Sequence, residues 1–256
     1  MDIYMAVKRH HDLVAERGYK CLMTVLIGSQ NYGLSDDNSD IDTFTFVFPS
    51  LEDLAFAREP KSGEFEVKDG KCMYKDIRLA LNLLKKTSPN SVECFIGRYR
   101  YFEPEYADVL KKYLCNNVYM NDMAHCNYSH MLHAITGMSR QLTKRNMSAG
   151  KRYSHALRMS DMMDTYINSI DHRYLLELLP LHRDEAYAAK RDTRQGIESY
   201  YDEGCELVAR RLERQRDEFV LTPYKAEVEK RGMKLIEQFQ KELFLKYIKT
   251  EVVNGN

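Results

Sequence analysis

The sequence predicts a protein of the α/β (α+β) class, with strands and helices mixed in residues 1–102 and helices alone in residues 103–256. The apolar run from Cys21 to Ile27 has the length and composition of a buried strand, and a second run rich in β-forming residues follows at 43–48. Beyond about residue 103, apolar residues recur almost only at helical spacing. These observations predict an N-terminal module fused closely to a helical C-terminal module.

Capping and breaking residues define the N-terminal elements. Asp2 can cap a first helix that Gly18 ends, and Ser50 can cap a short helix directly after Pro49 has ended the second strand. The remaining predicted elements are a hairpin of 64–67 with 71–74, a helix capped by Asp76, and a short helix that starts at Ser91.

Six helices are predicted for the C-terminal part. Their approximate bounds are 104–114, 122–146, 150–170, 173–189, 194–220 and 224–248. In the last, apolar residues repeat at spacings of three and four, which predicts one buried face made of Ile236, Phe239, Leu243 and Tyr247.

Composition narrows the class of protein. The chain has 256 residues, of which 44% are hydrophobic and 30% charged, and its net charge is zero. This balance is ordinary for a globular protein and excludes the global basic field of many nucleic-acid binders. The six cysteines form no Cys-x-x-Cys pair, and no apolar run approaches a membrane span. We therefore expect a cytoplasmic protein that has no membrane partner.

The most informative stretch joins the first two strands. Gly28-Ser29 follows the first apolar run and can form a tight turn with backbone amides open to an anion. Ten residues later come Asp40 and Asp42, which point the same way if they lie on one strand. Two carboxylates on one face favour a cation between them, and Mg²⁺ is a common choice. The alternative is a solvated Asp-rich turn, which is the preferred interpretation for residues 36–38 alone.

This pattern resembles the signature of the polymerase-β-like nucleotidyltransferase superfamily, a Gly-Ser turn followed by an Asp-x-Asp strand. The ten-residue spacing is similar to that of the minimal nucleotidyltransferases. The fuller pattern from Gly28 to Asp42 is similar to that of a group of predicted nucleotidyltransferases found widely in bacteria and their phages. Further segments within residues 22–215 resemble the same group: Asp76-Ile77-Arg78, Leu83-Leu84-Lys85, Ser88 to Glu93, the Lys-x-x-x-His-x-x-Arg helix from Lys151 to Arg158, and Ala188-Ala189-Lys190.

The resemblance implies a mixed sheet with flanking helices and transfer of an NMP group from an NTP to a hydroxyl. The acceptor would be an RNA end, a protein side chain or a small molecule. Gly28, Ser29 and Ser39 would bind the triphosphate, while Asp40 and Asp42 would hold one or two Mg²⁺ (or Mn²⁺) ions. In such sites the metal aligns the attacking hydroxyl and offsets charge on the leaving pyrophosphate.

A basic helix face is the second candidate part of the site. Lys151, His155 and Arg158 are spaced i, i+4 and i+7 and therefore share one helix face. Such a face can bind a triphosphate or an RNA backbone, or it can be a solvated surface that also carries Arg152. The resemblance favours the ligand-binding interpretation. Lys190 is a weaker candidate, because it lies in an ordinary charged turn.

The sequence departs from the family pattern at one position. The family has a third carboxylate on a later strand, and Met73 occupies the expected place. Glu64, Glu66 or Asp69 would supply this group after a register shift, or all three are surface charges of the hairpin, while Asp76 is better explained as a helix cap. A missing carboxylate would weaken base-assisted attack. The alternative function is therefore a nucleotide-binding regulator or an antitoxin-like interaction module.

Overall fold

The computed structural model describes residues 2–35, 39–169, 171–176, 178–192, 194 and 196–254. The solvated turn predicted at residues 36–38 lies outside these ranges. The side chains of Thr143, Tyr174, Pro180, Leu181 and Asn254 are also outside the description.

A five-stranded mixed sheet forms the N-terminal part, as predicted. Its strands are β1 (Lys20–Ile27), β2 (Asp42–Phe48), β3 (Ser62–Val67), β4 (Gly70–Asp76) and β5 (Arg100–Phe102). They lie in the order β3-β4-β2-β1-β5, and only the β2–β4 pair is parallel. In the β1–β2 pair, Ile27 lies opposite Asp42. The two ends of the stretch from Gly28 to Asp42 therefore lie side by side.

Four helices accompany the sheet: α1 (Ile3–Ala15), α2 (Leu51–Ala55), α3 (Ile77–Lys85) and α4 (Pro89–Ile96). The predicted caps are confirmed, since Asp2, Ser50 and Asp76 each accept a hydrogen bond from a backbone amide in the first turn that follows. The predicted start of α4 at Ser91 is wrong by two residues, because Pro89 suits the first helical position and begins the helix.

The C-terminal part is helical, as predicted. It comprises α5 (Ala107–Leu114), α6 (Asn117–Ala124), α7 (Tyr128–Gln141), α8 (Ala149–Asn168), α9 (Pro180–Arg191), α10 (Glu198–Glu218) and α11 (Pro223–Asn254). The single helix predicted at 122–146 is wrong: α6 ends before His125, and the Asn127 side chain caps α7 by accepting from the His130 amide. Within the described residues, no helix is both long and apolar enough to cross a membrane.

One hydrophobic core runs through both parts of the chain. The buried face predicted for α11 is confirmed, and its Tyr247 ring stacks on Phe48 of β2 at 4.2 Å between centroids. The Tyr247 hydroxyl also donates to the carbonyl of Pro49 at 2.6 Å. The domain boundary between residues 102 and 103 stays a prediction, and helices from beyond it complete the core against the sheet.

Candidate functional site

A cleft of about 840 Å³ lies between one face of the sheet and the helical part. It is lined by all eight residues that the sequence singles out: Gly28, Ser29, Ser39, Asp40, Asp42, Lys151, His155 and Arg158. The fold thus brings the N-terminal motif and the basic face of α8 to one place, although more than a hundred residues separate them in the chain.

The Gly-Ser turn follows β1 directly. Gly28 has a φ of +83°, a conformation that favours glycine, and the turn is closed by bonds from the Asn31 amide to the Gly28 carbonyl at 3.0 Å and from Tyr32 to Ser29 at 3.2 Å. Within the described residues, the amides of Ser29 and Gln30 donate to no other group. Successive open amides in a turn form a concavity that binds anions. The turn is therefore a candidate phosphate site.

The carboxylate pair adjoins this turn. Asp42 is the first residue of β2, and a Cβ placed on Gly28 would be 4.0 Å from its Oδ2 atom. Burial, and then the nearby charge of Asp40, raise the pKa of Asp42 above its usual value. This repulsion means that a cation between the two groups would be favourable, so the residues fit a bound Mg²⁺.

No group of three or more His, Cys, Asp or Glu side chains in the described ranges could hold a metal ion by itself. Mg²⁺ is commonly bound by one or two carboxylates together with substrate phosphates. The arrangement therefore matches a site that the nucleotide would help to complete.

The β3–β4 turn fixes the backbone between the two carboxylates. The amide of Ile41 donates to the Asp69 carbonyl at 2.8 Å, and a Cβ on Gly70 would be 2.6 Å from the Ile41 carbonyl carbon. The Asp69 side chain is bonded to His10 at 3.2 Å and to Arg9, both on α1. Asp69 is thus part of a support for the carboxylate segment and does not line the cleft.

The structure supplies no third carboxylate from the hairpin in the described part of the cleft. Met73 lines the cleft and pairs with Phe44 of β2, which confirms its placement on the inner face of β4. Glu64 and Glu66 are exposed and pair with Lys71 at 3.2 and 3.4 Å. These two are surface charges of the hairpin, the second of the two alternatives that the sequence allows.

The α8 face carries two cations and a neutral imidazole. Burial, followed by the positive charges of Arg158 and Lys151, lowers the pKa of His155 to about 4, so it is uncharged at neutral pH. His155 therefore adds no charge to the face that the sequence analysis describes as basic, although its ring lines the cleft. Arg152 bonds instead to Asp202 at 2.6 Å and is not among the lining residues.

Glu93 is a buried carboxylate in the cleft to which sequence reasoning gave no role. Its Oε1 atom accepts from the Gly28 amide at 3.2 Å, and its Oε2 atom accepts from Nη1 of Arg158 at 3.4 Å. The Arg158 guanidinium also lies over the Tyr32 ring, 4.1 Å from its centroid. The only sequence signal for Glu93 was its position in one of the segments that resemble the family.

Further cations line the cleft besides those of α8. Lys190 of α9 donates to the Leu34 carbonyl at 2.9 Å, so the weaker candidate lies with the stronger ones. Lys75 follows Met73 on the inner face of β4 and lies 5.2 Å from the Phe44 centroid. Alternation along β4 was the available signal for Lys75, because residues two apart on a strand share a face.

Comparison with known proteins points to one family. The family model described as the RNA repair pathway DNA polymerase beta family (RlaP) matches residues 3–169. This range contains all five strands of the sheet and every candidate site residue except the weaker candidate Lys190. No curated protein matches the chain.

Proposed function

Because the chain belongs to the RNA repair pathway DNA polymerase beta family, a polymerase-β-like group, we propose that it is a metal-dependent nucleotidyltransferase. It would move an NMP group from an NTP to a hydroxyl acceptor. The observation that supports the proposal is a single cleft in which a turn with two open amides adjoins a pair of carboxylates and faces the cations of α8.

The triphosphate would bind between the turn and α8. The open amides of Ser29 and Gln30 and the hydroxyl of Ser29 donate to phosphate oxygens from one side. Lys151, which is exposed at the rim of the cleft, balances phosphate charge from the other side. Neutral His155 contributes a hydrogen bond to this set and no charge.

Asp40 and Asp42 would hold Mg²⁺ (or Mn²⁺) in this reaction. A bound divalent ion neutralises charge on the phosphates and on the leaving pyrophosphate. The residues' own part is to place two like charges side by side at the edge of the phosphate turn. The β3–β4 turn keeps them there through the Lys71 amide, which donates to Oδ1 of Asp42 at 3.1 Å.

The apolar side of the cleft suits a nucleobase. Its lining there includes Phe44, Met73, Leu83, Met138 and Met159. Aromatic and thioether side chains give a flat base extended contact with little sequence discrimination. An RNA hydroxyl end is the first acceptor to test, because the family description names RNA repair. Protein side chains and small molecules are the other candidates.

Met73 favours a second candidate function. An apolar side chain stands where the family places its third carboxylate, and the described hairpin carboxylates do not line the cleft. A chain without that proton acceptor would retain nucleotide binding and lose turnover. It would then act as a nucleotide-binding regulator or an antitoxin-like interaction module.

One experiment separates the two functions. The protein is incubated with each α-labelled NTP, Mg²⁺ or Mn²⁺, and RNA oligonucleotides or cell extract. The Asp40→Ala/Asp42→Ala double variant should incorporate no label, whereas Glu64→Ala/Glu66→Ala, which removes two carboxylates outside the cleft, should match wild type. Wild type that binds NTP by calorimetry yet labels no acceptor would refute the enzyme and support the regulator.

A further inference from the structure

Glu93 occupies donors that a phosphate would use. Its two carboxylate oxygens accept from the Gly28 amide of the candidate phosphate turn and from the Arg158 guanidinium of α8. An amide in a tight turn and an arginine are both typical phosphate ligands. The residue is 6% exposed, so its carboxylate is buried within the cleft.

We propose that Glu93 is an internal competitor for the phosphate groups, which a polyphosphate displaces from Gly28 and Arg158 when it binds. The inference rests on the proposed function, because it assumes that the cleft takes a nucleotide. It makes Glu93 a residue that sets the affinity of the site for polyphosphates.

The contacts of Arg158 show that the displacement is physically reasonable. Its bond to Glu93 is 3.4 Å long, whereas strong bonds between charged partners measure about 2.7–2.9 Å. Arg158 is 9% exposed, and its Nε atom is buried without a hydrogen-bond partner. A phosphate has more acceptor oxygens than a carboxylate and can satisfy donors that Glu93 leaves unpaired.

The neighbouring amides offer the incoming ligand a first contact. Within the described residues, the amides of Ser29 and Gln30, next to Gly28, have no hydrogen-bond acceptor, so a phosphate can bind to them before Glu93 moves. Glu93 is nevertheless needed, because a buried arginine without a counter-charge strongly destabilises a protein. The carboxylate therefore keeps Arg158 paired, and its return to Gly28 assists the departure of pyrophosphate.

The test is the affinity of Glu93→Gln for ligands that carry no transferable group. Binding of pyrophosphate and of adenosine α,β-methylene-triphosphate, each with MgCl₂, is measured by calorimetry. The variant loses the competing charge but keeps the shape of the side chain. We expect both ligands to bind about tenfold more tightly than to wild type. Glu64→Gln, the same change on the exposed hairpin, should bind like wild type.

A second variant keeps the test informative if Glu93→Gln does not fold. Glu93→Asp keeps a negative charge near Arg158, but the shorter side chain cannot reach both Arg158 and Gly28. We expect it to fold and to bind both ligands about threefold more tightly. If it and any folded Glu93→Gln bind them equally or more weakly, Glu93 is a brace for the turn and the inference is overturned. If wild type binds neither ligand, the proposed function itself fails.

Discussion

Replacing Gly70 by alanine tests whether the β3–β4 turn positions the carboxylate pair. A Cβ at this position would be 2.6 Å from the carbonyl carbon of Ile41, 2.8 Å from its amide nitrogen, and closer still to its oxygen. These atoms all belong to the backbone, so no side-chain rotation relieves the overlap. Ile41 lies between Asp40 and Asp42, and the strain is therefore transmitted to the candidate metal ligands.

The size of the effect follows from these distances. To bring the carbonyl carbon from 2.6 Å to an ordinary contact of 3.4 Å, the Ile41 backbone must retreat by at least about 0.8 Å, and the closer oxygen requires more. Overpacking of this kind costs about 1–3 kcal/mol in the free energy of unfolding. The bond from the Ile41 amide to Asp69 would weaken as well, which adds about 1 kcal/mol. A displacement close to 1 Å in a reacting site lowers turnover by about 100-fold.

Three measurements determine the effect of Gly70→Ala on stability, on the carboxylate pair and on turnover. Urea denaturation gives the free energy of unfolding, which we expect to fall by about 2–4 kcal/mol. Thermal unfolding with and without Mg²⁺, both in the presence of pyrophosphate, reports the carboxylate pair, and pyrophosphate release from an NTP reports turnover. Gly137→Ala is the matched control: it lies within α7, where a Cβ meets nothing within 4 Å, and alanine should stabilise the helix by about 0.5–1 kcal/mol.

One combination of results would contradict the role assigned to the β3–β4 turn. If Gly70→Ala unfolds at the wild-type urea concentration, and Mg²⁺ with pyrophosphate raises its melting temperature as much as that of wild type, the turn does not position the carboxylates. A loss of stability with normal Mg²⁺ stabilisation would show that the Ile41 backbone moves without moving its neighbours.

Three further predictions concern the packing of α8 on α9, the charge state of His155 and the carboxylate pair. A Cβ on Gly150 would lie 2.8 Å from the Ala189 carbonyl carbon, so Gly150→Ala should separate α8 from α9 and lower the free energy of unfolding by about 2 kcal/mol or more, measured in urea. Because burial lowers the pKa of His155 to about 4, the unfolded chain binds its proton more readily, and stability should fall as the pH drops from about 6.5 to 4. The loss is about 2–3 kcal/mol, and His155→Gln should remove it from the pH profile of urea unfolding. Burial, and then the charge of Asp40, raise the pKa of Asp42. Asp40→Asn removes the second of these causes, so it should raise the melting temperature slightly in EDTA and abolish the stabilisation that Mg²⁺ gives in the presence of pyrophosphate.

Elements set by local chemistry could be predicted from the sequence. Asp2, Ser50 and Asp76 cap their helices through bonds to amides two or three residues away, so the signal is contained in a few letters. The helix predicted at 122–146 failed for the opposite reason. Buried His125 continues the helical pattern of burial across the break, while Asn127 starts a new helix there.

The candidate site likewise has features that could be predicted from the sequence and features that could not. That Gly28 and Asp42 lie together was predictable because one loop carries both the candidate phosphate turn and the carboxylates, and helical spacing placed Lys151 with Arg158. The charge state of His155 was not predictable, because its first cause is burial, which depends on packing against other elements; the cations Arg158 and Lys151 of α8 come second. The contacts of Glu93 were not predictable either, because Glu93 lies sixty-five residues along the chain from each of its two partners.

Glu93 also shows why the number of carboxylates in the cleft, and what each one contacts, cannot be predicted from the sequence alone. Asp40 and Asp42 lie beside the turn and repel each other, which favours a cation. Glu93 lies on α4 and is held by donors, which favours its exchange for another anion. A third carboxylate is thus present in the cleft, but its environment is the reverse of the one that a metal ligand needs. Beside the carboxylate pair the cleft is lined by the apolar Met73, and its further acidic group is Glu93, which lies at the turn that begins with Gly28.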